Sequence, residues 1–454
     1  MQGPAFSIIA LVIAPSFFSY SSAQQKLTPE TALEGYLNNG DKTYHWEMKE
    51  SYSLGAVKAF NLLLTSQQWH EYVWTHQLTV LVPAANDYDG ALLFITGGSN
   101  NKGQPNWKGE DDQFMQALGQ VAAKNKGIVA ILRQTPNQPL VGGLTEDALI
   151  SYTLHQFKED GDYSWPLLFP MAKSAVRAID AVQEFSAQVL KHELKRFVVS
   201  GASKRGWTTW LTGANDQRVV AIAPMVIDIL NMPVNLDYQV KMWKDYSVQI
   251  QDYVKLGIPQ TARSEKGQAI TAMVDPYSYR KKLTMPKMIF MGTNDEYWTV
   301  DAIKHYIDSI PGQNFIHYVP NVGHSLGDKQ QALAALSAFF GQTLANMPYP
   351  LLEWDLSQTQ KGATLKVNTT AALLVDAILW STDSEDTDFR DEHWSGKSLN
   401  LNNKKPAVVS ATQLFPQTGY RAFYLDLKYR DANGGEYTES TRMFVADDDE
   451  VFGR

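Results

Sequence analysis

What most limits the fold of this chain is an alternation. Between about 78 and 320, short β-rich runs take turns with longer helical stretches. The strand-like runs are LTVLVP (78–83), GALLFITGG (90–98), GIVAILRQ (127–134), RFVVSG (196–201), VVAIAPMV (219–226), KMIFMG (287–292) and NFIHYVP (314–320). Several are continuous apolar runs rather than alternating ones. Such runs belong to strands buried on both faces, as in a parallel sheet covered by helices. The helices between them fit. After Pro170, residues Met171, Ala175, Ala178, Ile179, Val182 and Phe185 recur at helical spacing, with Lys173, Arg177, Asp180 and Glu184 between them. This predicts an α/β protein with right-handed crossovers, closed by a helix over QQALAALSAFFGQTLA (330–345).

Two stretches depart from the alternation. Residues 228–282 are amphipathic and aromatic, and no strand follows until 287. An insertion between two late strands reads as a cap over the site. After Pro348 and Pro350 the texture becomes short alternating strands separated by turns such as DANGGE. Residues 351–454 are therefore expected to form a small β-sandwich. At the other end, Ala5 to about Phe18 is nearly all apolar, too short to span a membrane, and Ser21-Ser22-Ala23 offers a small-x-small cleavage site. Residues 1–23 read as a signal peptide cleaved near Ala23, although the n-region has no Lys or Arg. That reading leaves 24–350 as the main domain of a secreted or periplasmic protein.

The chemistry centres on VVSGASKRGWTTW (198–210). An apolar strand delivers Ser203 to a sheet end and a helix follows at once. A sharp strand–turn–helix corner projects such a serine above the sheet and aims the next backbone N–H at the same space. The usual G-x-S-x-G is altered: Arg205 stands where the second glycine belongs, and Gly206 follows one place late. A serine hydroxyl needs a base. Asp295 in TNDEYW and His324 in NVGHSLG each follow a strand, in the chain order Ser, Asp, His. Ser203 is thus the expected nucleophile, His324 its proton acceptor and Asp295 the orienter of the imidazole. Glu296 is the nearest rival for the acid; Asp228 and Asp275 do not directly follow a strand.

A developing oxyanion needs two N–H donors. Lys204 supplies one from its backbone. The loop FITGGSNN (94–101) offers the second, from Gly98 or Ser99, with Gly97 and Gly98 allowing close approach. Trp298, beside the acid loop, and Trp165, with Tyr163 near it, are candidate pocket residues; Trp207 and Trp210 are expected to wedge the helix against the sheet. Arg205 is expected to be structural, paired with a buried carboxylate. Other chemistries find no support. The absence of cysteine removes disulfides and thiol nucleophiles, and the nine histidines show no metal-ligand spacing. No phosphate-binding or dinucleotide glycine pattern occurs, so no cofactor is implied. A net charge of −8 gives no basic footprint for nucleic acid. No other run is long and apolar enough for a membrane span.

GASKRGW, GTNDEYW and NVGHSL, together with GDYSWPLLFPMAKSAVRAID and the late Trp380 and Asp388-Phe389-Arg390, resemble the PhoPQ-activated pathogenicity-related protein family. The resemblance runs over nearly all of the chain beyond the leader. It implies an exported α/β-hydrolase fold carrying a small β-domain, and implies no substrate. The Gly-x-Ser-basic-x-Gly form is also similar to glucuronoyl esterases, where a basic residue after the serine helps hold the oxyanion, a role that would fall on Lys204. The expected protein is an exported serine hydrolase acting on an ester or a peptide amide through an acyl-enzyme, with a small-molecule ester or peptide as its partner. The alternative is a secreted binding or signalling protein that keeps the hydrolase scaffold without using it.

Overall fold

The computed structural model describes residues 1, 3, 27–401 and 404–453. Apart from Met1 and Gly3, the expected signal segment and its cleavage site at Ala23 lie outside the described residues. Among the described residues, no helix is long and apolar enough to cross a membrane.

The central sheet begins with an antiparallel meander: β1 (His45–Leu54), β2 (Val57–Trp69) and β3 (Tyr72–Pro83). Next come β4 (Gly90–Ile95), α1 (Gln113–Asn125), β5 (Ile128–Leu132), α2 (Glu146–Asp160), α3 (Leu168–Phe185), β6 (Arg196–Ala202), α4 (Lys204–Asn215) and β7 (Val219–Met225). Three helices follow, α5 (Met232–Trp243), α6 (Gln251–Lys255) and α7 (Glu265–Val274). The main domain closes with β8 (Lys287–Gly292), β9 (Asn314–Val319) and α8 (Gln330–Leu344). The strands lie in the order β1-β2-β3-β5-β4-β6-β7-β8-β9. Every pair from β5 to β9 is parallel, while β3 runs antiparallel to β5. A crossed β4/β5 pair followed by consecutive parallel strands is the α/β-hydrolase arrangement.

The continuous apolar runs are buried on both faces. Along β4, Ala91, Leu93 and Ile95 join one core, and Leu92 and Phe94 the other. The first core is covered by α3, α4 and the 228–282 segment; the second lies under α1 and α8. The face predicted for α3 is the buried one, since Met171, Ala175, Ala178, Ile179, Val182 and Phe185 are each fully buried.

The strand β2 did not stand out in the sequence because it carries polar residues inward, and β1 because it is an edge strand whose residues are mostly exposed. Asn61, Ser66 and Gln67 are fully buried. Gln67 Nε2 donates to Pro170 O (2.7 Å) and accepts at Oε1 from the Tyr36 hydroxyl. Buried polar groups whose partners lie on a distant helix erase the period-2 signal without a net energetic penalty.

The last hundred residues make two β-layers. One contains β10 (Leu352–Thr359), β11 (Gly362–Thr369) and β14 (Val408–Leu414). The other contains β12 (Leu374–Ser384), β13 (Ser395–Ser398), β15 (Tyr420–Arg430), β16 (Glu436–Ser440) and β17 (Phe444–Ala446). Leu365 and Val367 from the first layer pack in one core with Ala377, Leu379, Phe423 and Leu425 from the second. The second layer also prolongs the central sheet, because β16 pairs antiparallel with β9 at Ile316 and Ser440.

Candidate active site

Ser203 sits at a strained corner. Its φ is 59° and ψ −126°, a region L side chains rarely occupy. β6 ends at the residue before it and α4 begins at the residue after it. The crowding that forces this corner explains the displaced glycine. A Cβ on Gly201 would lie 2.7 Å from Arg205 O, and one on Gly206 2.7 Å from Met225 O and 2.9 Å from Ile227 Cγ2. Gly206 therefore meets the neighbouring strand β7, the close approach for which a glycine is needed here, and position 205 is free to carry a side chain.

That side chain is a strut. The two terminal guanidinium nitrogens of Arg205 donate to Glu146 Oε2 (2.8 Å) and Oε1 (2.6 Å), and Nε–H donates to Thr135 O. Bidentate geometry of this kind fixes orientation as well as charge. A Cβ on Gly97 would meet the same guanidinium at 2.6 Å. Arg205 thus ties three things together behind the serine: the 97–98 loop, the 135 loop and the start of α2. Burial alone would raise the Glu146 carboxyl, but the bonds and charge of Arg205, aided by Gln138 and Lys204, hold it down at about 2. The carboxylate expected for Arg205 is Glu146, which is part-exposed rather than fully buried.

The three expected triad side chains meet. His324 Nε2 lies 2.9 Å from Ser203 Oγ. His324 Nδ1 lies 2.9 and 3.0 Å from the two oxygens of Asp295. Asp295 is buried, at 7 % exposed. Burial raises its carboxyl above the ordinary range; the His324 hydrogen bond and charge and the Tyr297 N–H oppose the rise without cancelling it. Glu296, the rival acid, does something else: its Oε2 accepts the backbone N–H of His324 at 2.9 Å. One carboxylate therefore faces the ring and its neighbour fixes the main chain. The Tyr297 ring lies against the imidazole, with centroids 4.1 Å apart.

The loop carrying the expected second oxyanion donor is fixed by its carbonyls. Thr96 O and Gly97 O accept from Thr135 N–H and Gln134 N–H, and Gly98 O accepts from the Gln138 side chain. Gly98 has a φ of 143°. Ser99 is drawn the other way, its hydroxyl and carbonyl both meeting Asn106. No side chain caps the N terminus of α4, where the Lys204 N–H lies. The Lys204 ammonium is engaged elsewhere, 2.8 Å from Asp147 and 3.4 Å from Glu146.

A small apolar pocket of ≈ 60 Å³ opens beside Ser203. Its wall includes Trp207, Ile227, Tyr297 and Trp298, and the 228–282 segment closes it with Met232, Leu236, Ile250 and Tyr253. Trp298 lines it as expected. Trp165 does not: its ring packs against His70, Trp69 and Tyr152, and its N–H donates to Asp160. Tyr163 packs on Phe157. Trp207 joins α4 to the inserted helices by donating to Val274 O at 2.6 Å, while Trp210 is fully buried against the sheet.

Sequence reasoning passed over three contributors. Asp147 holds Lys204 and accepts from Tyr253 of the insertion at 3.0 Å. Asn294, next to Asp295, donates to Arg390 O (3.1 Å) and Glu392 O (2.7 Å). Asn321, next to the His324 loop, exchanges hydrogen bonds with the Trp394 main chain. The quoted Asp388-Phe389-Arg390 motif adjoins these contacts, and Arg390 stacks over Trp243 of α5. Only the partner loops, folded together, reveal why an asparagine stands beside each. Among the described residues, no group of three or more His, Asp or Glu is placed to hold a metal ion.

Strand order, elbow and loop positions place the chain in the α/β-hydrolase fold class. Within it, the chain belongs to the PhoPQ-activated pathogenicity-related protein family, whose model matches residues 33–390. It is 30% identical over 453 residues to autocrine proliferation repressor protein A of Dictyostelium discoideum, covering 92% of this chain and 90% of that one. Among solved structures, it is similar to acetyl xylan esterase 1 from Thermoanaerobacterium sp. at 17% identity, with a TM-score of 0.48 over 70% of this chain and 94% of that one. It is also similar to an S-formylglutathione hydrolase from Agrobacterium tumefaciens at 10% identity, with a TM-score of 0.44 over 66% and 99% of the two chains.

Proposed function

We propose that this protein is a serine hydrolase that cleaves carboxylic esters or amides through an acyl-enzyme. The observation that carries the reading is the position of His324, with one ring nitrogen 2.9 Å from Ser203 Oγ and the other 2.9 Å from Asp295. In this reading Ser203 Oγ attacks the carbonyl carbon while its proton passes to His324 Nε2. The imidazolium so formed is stabilised by Asp295, which keeps its negative charge. The carbonyl oxygen becomes an oxyanion, held by the Lys204 N–H and a donor of the 97–99 loop. Collapse breaks the bond to the leaving group, which takes the proton from His324. Water then attacks the acyl carbon, giving its proton to His324, and release of the acid restores the Ser203 hydroxyl.

The pocket beside Ser203 limits the acyl part. It is a small apolar space of ≈ 60 Å³. Of its lining charges, Asp147 and Lys204 neutralise one another. A short, uncharged acyl group fits this space. The test is turnover of acetyl, butyryl and octanoyl esters by the wild type and by Ser203→Ala. The expected result is decreasing kcat/KM with chain length and loss of activity on the order of 10⁶-fold in the variant. Equal slow turnover by both proteins would refute the assignment.

A second reading is favoured by one observation, the name of the Dictyostelium relative, which describes repression of proliferation. A secreted regulator could keep this scaffold and act by binding. Under that reading Ser203→Ala would retain full regulatory effect on cells.

A further inference from the structure

A second pocket, sharing no lining residue with the first, is lined by the triad histidine, and nothing in the triad accounts for it. It has a volume of ≈ 440 Å³, within the ~300–1,000 Å³ range usual for ligand sites. It lies between α1 and α8 and is lined by His324 and by Ala202, the residue before the nucleophile. Its walls are apolar, with Phe94 and Phe114 set edge to face (centroids 5.0 Å apart) and Leu326 and Leu333 opposite on the His324 side of the chain.

One buried cation faces this space. Arg133 lines the pocket and is only 7 % exposed. A guanidinium has five N–H donors. Asp112 takes one of them at 2.8 Å, and among the described residues no hydrogen bond engages Nη1. Donors left unengaged on a side chain that lines the pocket can serve acceptor atoms of a ligand bound there. Asp112 is otherwise occupied in capping α1 through the Met115 N–H. The charges around the pocket also cancel: Arg133 and Lys329 stand against Asp112 and Asp328.

Chemistry decides which part of a substrate goes where. The acyl carbon must reach Ser203 Oγ, and the leaving oxygen must reach His324 Nε2 to be protonated. The small pocket includes Ser203 and not His324; the large one includes His324 and not Ser203. We propose that the large pocket binds the alcohol portion of the substrate, that Arg133 holds an oxygen of that alcohol, and that the preferred substrate class is a short-chain acyl ester of a neutral, ring-sized, hydroxyl-bearing alcohol. Apolar and aromatic walls suit the C–H faces of such a ring, the guanidinium suits its oxygens, and the balanced charges disfavour an ion. The inference rests on the hydrolase reading above and names its substrate class.

The test compares two acetates that share an acyl group: ethyl acetate and a mono-O-acetyl methyl glycoside. The readout is the ratio of their kcat/KM values in wild type, Arg133→Gln and Ala117→Phe, followed by acid release. Ala117 lines the pocket from α1, so phenylalanine there fills it without touching Arg133 chemistry. The expected result is a wild-type preference for the glycoside ester that falls at least tenfold in both variants, mainly through KM. A wild-type ratio near one, or a ratio kept within twofold in both variants, would overturn the proposal while leaving the hydrolase reading intact. An equal loss of kcat on both esters in Arg133→Gln, with Ala117→Phe unchanged, would overturn it too and make Arg133 a structural support of α1. No turnover of either ester by the wild type, at the level of Ser203→Ala, would overturn the hydrolase reading and this proposal together.

Discussion

Asp295 and Glu296 are adjacent carboxylates with different work, and the difference is a matter of reach. Asp295 meets the imidazole, and Glu296 the backbone N–H of His324. Asp295→Asn should lower kcat on the order of 10⁴-fold, because the amide favours the wrong tautomer of His324. Glu296→Gln keeps an oxygen able to accept the same N–H and should cost less than about tenfold. Steady-state kinetics of the two variants on one ester separates the roles; equal losses would mean that the pair acts as a unit. The sequence already pointed to Ser203, Asp295 and His324, since each follows a strand end in a fixed order and strand ends are legible from apolar runs. It could not say that Glu296 would turn to the main chain, which depends on the path of a loop. The partner of Arg205 was equally hidden, because Glu146 is 59 residues away in sequence.

At the scale of elements, the C-terminal layer braces the Asp295 and His324 loops. Asn294 and Asn321 fasten the Asp295 and His324 loops to the main chain of 390–394. Thr387 reaches α5 of the insertion, donating to Met242 O at 2.6 Å. Insertion and tail thus both hold the Asp295 loop, as Ser247 donates to Glu296 O and Gln239 to Tyr297 O. Asn294→Ala removes donors and leaves part-buried carbonyls without partners, at a cost of about 1–3 kcal/mol. The expected outcome is a lower melting temperature together with a kcat reduced about tenfold, measured by calorimetry and ester turnover. A stable protein with unchanged kcat would show that the tail does not position the triad. The alternating C-terminal strands were readable from period 2. Their union with the central sheet was not, since the ladder between β16 and β9 has a single paired position, Ile316 with Ser440. β1 escaped because it is a mostly exposed edge strand, and β2 because several of its inward residues are polar.

Across the whole molecule, several carboxyls are buried without an ion pair among the described residues. Burial is the main cause that pushes Asp228 and Glu439 up to about 8 and Asp275 and Asp426 up to about 7. Each is raised above its unfolded value near 4. The unfolded chain therefore releases these protons first, and folding is favoured most when all four stay protonated. Stability from this source is complete below about pH 4 and is lost as pH rises through 7 to 8. Asp228 is bonded to the Tyr306 hydroxyl at 2.6 Å deep in the core. Asp228→Asn should flatten the fall in melting temperature between pH 5 and 9, read by thermal melts across that range; an unchanged slope would remove Asp228 from the account.

The central claim is that Ser203 is a nucleophile activated by His324. A fluorophosphonate probe reports that directly, since only an activated serine displaces its fluoride. Intact mass and peptide mapping of the labelled protein should find one adduct, on Ser203, absent in Ser203→Ala and strongly slowed in His324→Ala. A folded wild-type protein that takes no label, or takes it on another residue, would contradict the account.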